Sequence, residues 1–105
     1  MFFDDNEVTI KKIEKMNSYA ENLLIHLDQY PNKLINIVGH SDISESNNSN
    51  VLCYNRANNI KKILINYGIN EDKITIITKG SDAPFASSST EYGRSKNRRV
   101  EIRVF

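Results

Sequence analysis

At 105 residues, with 39% hydrophobic and 26% charged residues, the chain has the size of one compact domain and is too apolar for a disordered one. A net charge of +1 excludes a global field that would drive it onto nucleic acid or a membrane, and a single cysteine, Cys53, excludes an internal disulfide. No apolar run approaches the ~18 residues of a membrane span and no signal peptide is visible, so any membrane contact is expected only through a segment absent from this chain. The opening Met-Phe-Phe-Asp-Asp reads as the start of a domain, residues 1–105, cut from a longer anchored protein.

Phe2-Phe3 is a candidate edge strand, broken by the turn-forming Asp4-Asp5-Asn6. From Val8 to Tyr30 the apolar residues Ile13, Met16, Ala20, Leu23 or Leu24, and Leu27 recur at steps of three and four, which predicts an amphipathic helix ended by Pro31. Leu34 to Gly39 is β-branched and apolar on both faces except at Asn36, as in a buried strand. Ser44 to Asn50 is a polar loop, with Ser49 or Asn50 as the expected cap of a second helix. That helix buries Ala57, Ile60, Ile63 with Leu64, and Tyr67, and ends at Gly68. Lys73 to Lys79 predicts a third strand. A Gly-, Pro- and Ser-containing loop follows from Gly80 to Ser89, then one helical turn over Thr90 to Ser95.

Arg98 to Phe105 alternates, with Val100, Ile102 and Val104 on one face and Arg99, Glu101 and Arg103 on the other, which predicts a half-exposed strand with a solvated charged face. The order is β-α-β-α-β-(short α)-β. The expected fold is a two-layer α/β (α+β) sandwich with a mixed four-stranded sheet and both helices on one face. The helix-linked strands run parallel, and the last is free to run antiparallel.

Asp42 stands just past the end of the buried strand, where ligands gather in α/β sheets. Arg56 follows fourteen residues later, in the second helix. An aspartate accepts from an ammonium, and an arginine fork grips a carboxylate in bidentate fashion. Together they suit one zwitterionic ligand. A structural ion pair between the two is the plain alternative.

Gly39-His40-Ser41-Asp42, Leu52-Cys53-Tyr54-Asn55-Arg56-Ala57, Gly80 with Pro84, and Asn97-Arg98-Arg99-Val100-Glu101 resemble, in order and spacing, the blocks of the OmpA-like peptidoglycan-binding domain. That family writes them Gly-His-Thr-Asp, Leu-Ser-x-x-Arg-Ala and Asn-Arg-Arg-Val-Glu. The resemblance covers nearly the whole chain. It implies that Asp42 takes the amine and Arg56 the carboxylate of the diaminopimelate residue in a peptidoglycan stem peptide. It further implies that Arg98 lines the same pocket and that Ser41, Ser49 and Asn6 are polar contacts. Ser41 replaces a threonine, Cys53 replaces a serine, Ser49 replaces an asparagine, and the Asp42-to-Arg56 segment is one residue short. These departures bear on the ligand's side chain more than on the fold.

A triad of His40, Ser41 and Asp42 is excluded because neighbours on an extended segment point to opposite faces. No pair among His26, His40, Asp42 and Cys53 has metal-ligand spacing, so neither a metal nor another cofactor is expected. His40 reads as a packed, hydrogen-bonded support for the loop. Residues 91–105 carry five Lys/Arg against two Glu, but the alternating signs read as a strand surface and not as a nucleic-acid interface.

The expectation is therefore a non-catalytic, periplasmic, peptidoglycan-associated module of a protein anchored in the outer or inner membrane. It should bind lysine- or ornithine-type stem peptides more weakly than the diaminopimelate type. The alternative is a protein–protein module, such as a homodimerising one, on the same scaffold.

Overall fold

The structure is a computed structural model and describes residues 1–45 and 49–105. Among the described residues three α-helices, α1 (Ile13–Gln29), α2 (Ser49–Asn66) and α3 (Glu91–Asn97), alternate with strands β1 (Ile35–His40), β2 (Ile74–Gly80) and β3 (Val100–Val104), with a short 3-10 turn, Glu71–Lys73, leading into β2. The sheet order is β2-β1-β3. β2 runs parallel to β1 and β3 antiparallel to it, so the mixed sheet follows the expected directions. No helix among the described residues is long and apolar enough to cross a membrane.

The sheet has three strands among the described residues, not four. Phe2 forms one isolated antiparallel bridge with Arg99, and the chain then leaves the ladder. The reason lies two residues on, where the Asp4 and Glu7 carbonyls turn to accept from the Arg56 side chain. A backbone held in that way cannot extend a strand. The same constraint delays α1. The helix begins at Ile13, because the Val8 carbonyl accepts from Asn59 and Lys12 adopts a left-handed conformation with φ 56°. Ile13 is consequently 40% exposed, and the buried stripe starts at Met16 and continues through Ala20, Leu23 and Leu27.

α1 and α2 bury their stripes in one cluster with Ile35, Ile37, Ile74 and Val100, which places both helices on one sheet face. α2 buries Leu52, Cys53, Arg56, Ala57, Ile60 and Leu64, so its buried face begins earlier than predicted and includes an arginine. The helix ends as the sequence indicates. Gly68 has φ 100°, and Ile69 donates back to the Leu64 carbonyl in a left-handed cap. Ser49 and Asn50, the two expected caps, are instead the first two residues of α2, and the position before them lies outside the described residues.

α2 lies close enough to β1 that a Cβ on Gly39 would stand 2.3 Å from the Cys53 carbonyl oxygen. Only glycine allows this approach, and it is what brings Arg56 under the end of β1. At the other end of the chain, Thr90 caps α3 by accepting from the Gly93 N–H at 3.0 Å.

The charged face expected of the last strand is solvated at Arg103, whose side chain is 59% exposed, but closed at Arg99, just before β3. Arg99 is only 8% exposed. Its guanidinium bonds Glu101 and the Ala83 carbonyl and lies 5.7 Å from the centre of the Phe85 ring. The loop before α3 thus closes over Arg99.

Candidate functional site

β1 delivers the chain to Ser41 and Asp42, α2 delivers Arg56, and the segment between α3 and β3 delivers Arg98. All four are buried, with Arg56 0% and Asp42 1% exposed. The sequence reading had Asp42 and Arg56 open and facing one ligand. The structure engages each with a different partner of its own.

Arg98 holds Asp42, with Nη1 2.9 Å from Oδ2, while its Nη2 reaches Glu91 at 2.7 Å and its Nε donates to the Phe3 carbonyl at 3.1 Å. Ser44 donates to the other Asp42 oxygen from its backbone N–H, at 2.7 Å, and from its hydroxyl. Burial pushes the Asp42 carboxyl up, but the Ser44 and Arg98 hydrogen bonds outweigh it and hold the group below its ordinary range. Burial lowers Arg98, and Glu91 and Asp42 more than restore it, so its pKa is raised. Both groups are therefore firmly charged.

Arg56 is matched by Glu45. Nη1 donates to Oε1 at 2.8 Å and Nη2 to Oε2, and both side chains are completely buried. The remaining donors go to carbonyls: Nε to Glu7 at 2.8 Å, Nη1 to His40 at 3.1 Å and Nη2 to Asp4 at 3.2 Å. The Phe3 ring lies 5.2 Å from the guanidinium carbon. Two backbone amides complete the surroundings of the Glu45 carboxylate, Asn6 N–H at 2.8 Å and Asp42 N–H at 2.9 Å. Arg56, Asn6 and Asp42 thus form a nest of N–H donors around one carboxylate, a geometry that favours anions.

Asp5 adds a third carboxyl group. Oxygens of Asp5, Asp42 and Glu45 lie within 4.8 Å of one another. Asp42 and Glu45 are each already neutralised by a guanidinium, so the group has less pull on a metal ion than its three charges suggest. Beside the nest opens a cleft of about 660 Å³, lined by Asp4, Asp5, Glu7, Glu91, Lys11 and Arg98. Its rim is mainly acidic and attracts an ammonium.

Of the residues expected at the site, Asp42, Arg56, Arg98 and the Asn6 backbone come together. Ser41 is buried against Cys53, whose thiol burial pushes up and the Ser41 hydroxyl brings partly down. Ser49 stands beside Gly80 at the start of α2, where a Cβ on that glycine would be 3.4 Å from Oγ. His40 is packed as expected. Its ring, however, makes no hydrogen bond among the described residues, and Nε2 lies 3.5 Å from Glu101 on the outer sheet face. What holds the loop at this point is the His40 backbone, which bonds Arg99 and Arg56.

Sequence reading missed Glu45. It lies in a polar Ser/Asn stretch, and the one signal for it is a lone carboxylate three residues after Asp42.

Comparison with known proteins agrees with this architecture. The chain is 36% identical to outer membrane porin F of Pseudomonas fluorescens over 97 residues, covering 90% of the chain and 30% of the porin. It is 34% identical to the peptidoglycan-associated lipoprotein of Buchnera aphidicola, covering 95% of the chain and 56% of the lipoprotein. The chain thus spans between about a third and about half of these relatives. The crystal structure of the C-terminal domain of Helicobacter pylori MotB superposes with a TM-score of 0.83 at 30% identity, covering 99% of this chain and 81% of that one. The peptidoglycan-associated lipoprotein from Burkholderia pseudomallei shares the fold at a TM-score of 0.88 and 19% identity, over 99% of this chain and 87% of that one. With the OmpA family model matching residues 2–98, the chain belongs to the OmpA family.

Proposed function

We propose that the chain is a non-catalytic module that binds peptidoglycan without a covalent bond, through a diaminopimelate-type diamino acid of the stem peptide. It acts in the periplasm and tethers a longer, membrane-anchored protein to the cell wall. The observation that carries this reading is the donor nest of Arg56, Asn6 and Asp42, built around a carboxylate with other carboxylates beside it.

A zwitterionic amino-acid end matches those surroundings. Its carboxylate takes the place that the Glu45 carboxylate occupies. Its ammonium then lies against Asp42 and Asp5, whose oxygens are within 4.8 Å of that carboxylate, close enough for one nitrogen to bond both sides. Asp42 has capacity left, since it accepts three hydrogen bonds and a carboxylate offers about four lone-pair sites. Arg98 positions Asp42, and the acidic cleft guides the ammonium inward. Ser41, Ser49 and the Asn6 side chain are supporting polar contacts. Relatives named for association with peptidoglycan, such as the Buchnera lipoprotein, support the ligand class.

The test is co-sedimentation with purified sacculi. Wild type is expected in the pellet, and Asp42→Asn and Arg56→Lys in the supernatant, with circular dichroism confirming that both variants fold. Equal pelleting of all three contradicts the reading.

A further inference from the structure

We infer that Glu45 determines ligand affinity and ligand choice, as an internal carboxylate that competes with the ligand's carboxylate for the Arg56 nest. The inference rests on the function proposed above and names the residue that limits it.

Glu45 satisfies every donor that a bound carboxylate would use. Its two oxygens accept from both Arg56 terminal nitrogens and from the Asn6 and Asp42 amides. The side chain has no exposed surface. It is also tethered, since its own N–H donates to the Asp42 carbonyl at 3.2 Å. A tethered group competes at an effective concentration of about millimolar or more. A ligand carboxylate must therefore displace a chemically equivalent group already in place, and gains only the difference between the two.

A consequence for ligand choice follows. A stem peptide whose diamino acid lacks the second carboxylate cannot displace Glu45 and meets only Asp42, Asp5 and the acidic cleft. A diaminopimelate peptide displaces Glu45 and gains only the difference between the two carboxylates. The wild-type domain therefore discriminates between the two classes less than an open Asp42–Arg56 pair would, and removal of Glu45 widens the discrimination.

Two measurements test this on wild type and Glu45→Ala. In calorimetric titration, the variant is expected to bind a meso-diaminopimelate tripeptide about tenfold or more tighter than wild type, with a lysine tripeptide changed less than about twofold. In thermal unfolding, Glu45→Ala leaves a buried uncompensated guanidinium, so sodium acetate is expected to raise its Tm, against sodium chloride at equal ionic strength. Wild type and the double variant Glu45→Ala/Arg56→Lys should not respond. Glu45→Gln keeps the side chain's shape without its charge and serves if the alanine variant does not fold, with a smaller gain in the same direction. Unchanged diaminopimelate affinity in the variant, or an identical acetate response in variant and wild type, overturns the inference. Acetate stabilisation of Glu45→Ala with no binding of either peptide by any form removes the peptidoglycan reading instead, and leaves Glu45 as the occupant of a carboxylate nest.

Discussion

Arg56 stands on the buried stripe of α2, at a position where an aliphatic residue is the ordinary choice. It is tolerated because all five of its N–H donors are used, two on Glu45 and one each on the Asp4, Glu7 and His40 carbonyls. Removing one member of such a pair leaves the other buried and unpaired, which costs about 3–5 kcal/mol. Arg56→Ala is accordingly expected to lower unfolding stability by about that amount in urea titration, and a loss under about 1 kcal/mol contradicts the assignment. Arg56→Lys retains charge and part of the packing but replaces a planar fork by a point charge, so it costs less stability while still emptying the nest. Asp42, Arg56 and Arg98 were legible in the sequence through the blocks they sit in. Their pairing was not. Glu45 meets Arg56 across an irregular stretch with no periodicity, and only the folded backbone shows which carboxylate reaches which guanidinium.

At the scale of elements, hydrophobic periodicity located α1, α2 and β3, and short apolar β-branched runs located β1 and β2, because each carries apolar residues into the core. These signals failed where tertiary bonds override local preference. Residues 2–11 read as a strand followed by an early helix, yet the backbone of this segment carries the carbonyls that receive Arg56 and Asn59. Arg99 read as solvated, like the exposed Arg103, because a strand's alternation carries no sign of the Ala83–Phe85 loop that covers it. The contact between α2 and β1 is the element-scale feature on which the site depends. Gly39→Ala places a methyl group 2.3 Å from the Cys53 carbonyl oxygen, with backbone on both sides of the clash. Overpacking of this kind costs about 1–3 kcal/mol, and relief requires α2 to move away from β1, taking Arg56 with it. The variant is expected to unfold at lower urea and to lose sacculus retention together. Retention at wild-type level in a destabilised variant shows that the site does not depend on this approach.

For the whole molecule, the titrating groups set a direction for stability against pH. Burial, then the Arg99 charge, hold His40 below its ordinary 6.5, despite the opposing pull of Glu101. The unfolded chain then binds this proton more readily, so the contribution is complete above about pH 6.5 and is lost as pH falls towards the lowered folded value. Burial raises Glu101, but hydrogen bonds from Arg103 and Arg99 and the charges of Arg99 and His40 hold it at about 2. Asp42 is lowered as well. Their contribution is complete above the ordinary carboxylate range and is lost from about pH 4 downward. Burial also holds the Met1 amine below its ordinary 8.0, so urea midpoints should fall in two stages, one beginning below about pH 8 and steepening below 6.5 and a second below pH 4, and His40→Gln should reduce the first. A wild-type midpoint that stays level from pH 7 to 5 contradicts the His40 account. At this scale the family and the two-layer architecture were readable from ordered blocks and periodicities, whereas the closed state of the nest is a property of the folded whole.

The most direct test of the central claim is a proton–nitrogen NMR titration of the domain with a soluble stem tripeptide containing meso-diaminopimelate. The largest shifts are expected at the Asn6 and Asp42 amides, which donate to the Glu45 carboxylate, and at the Arg56 guanidinium, with β3 outer-face signals unchanged. Shifts concentrated away from these three groups, in a domain that still pellets with sacculi, contradict it.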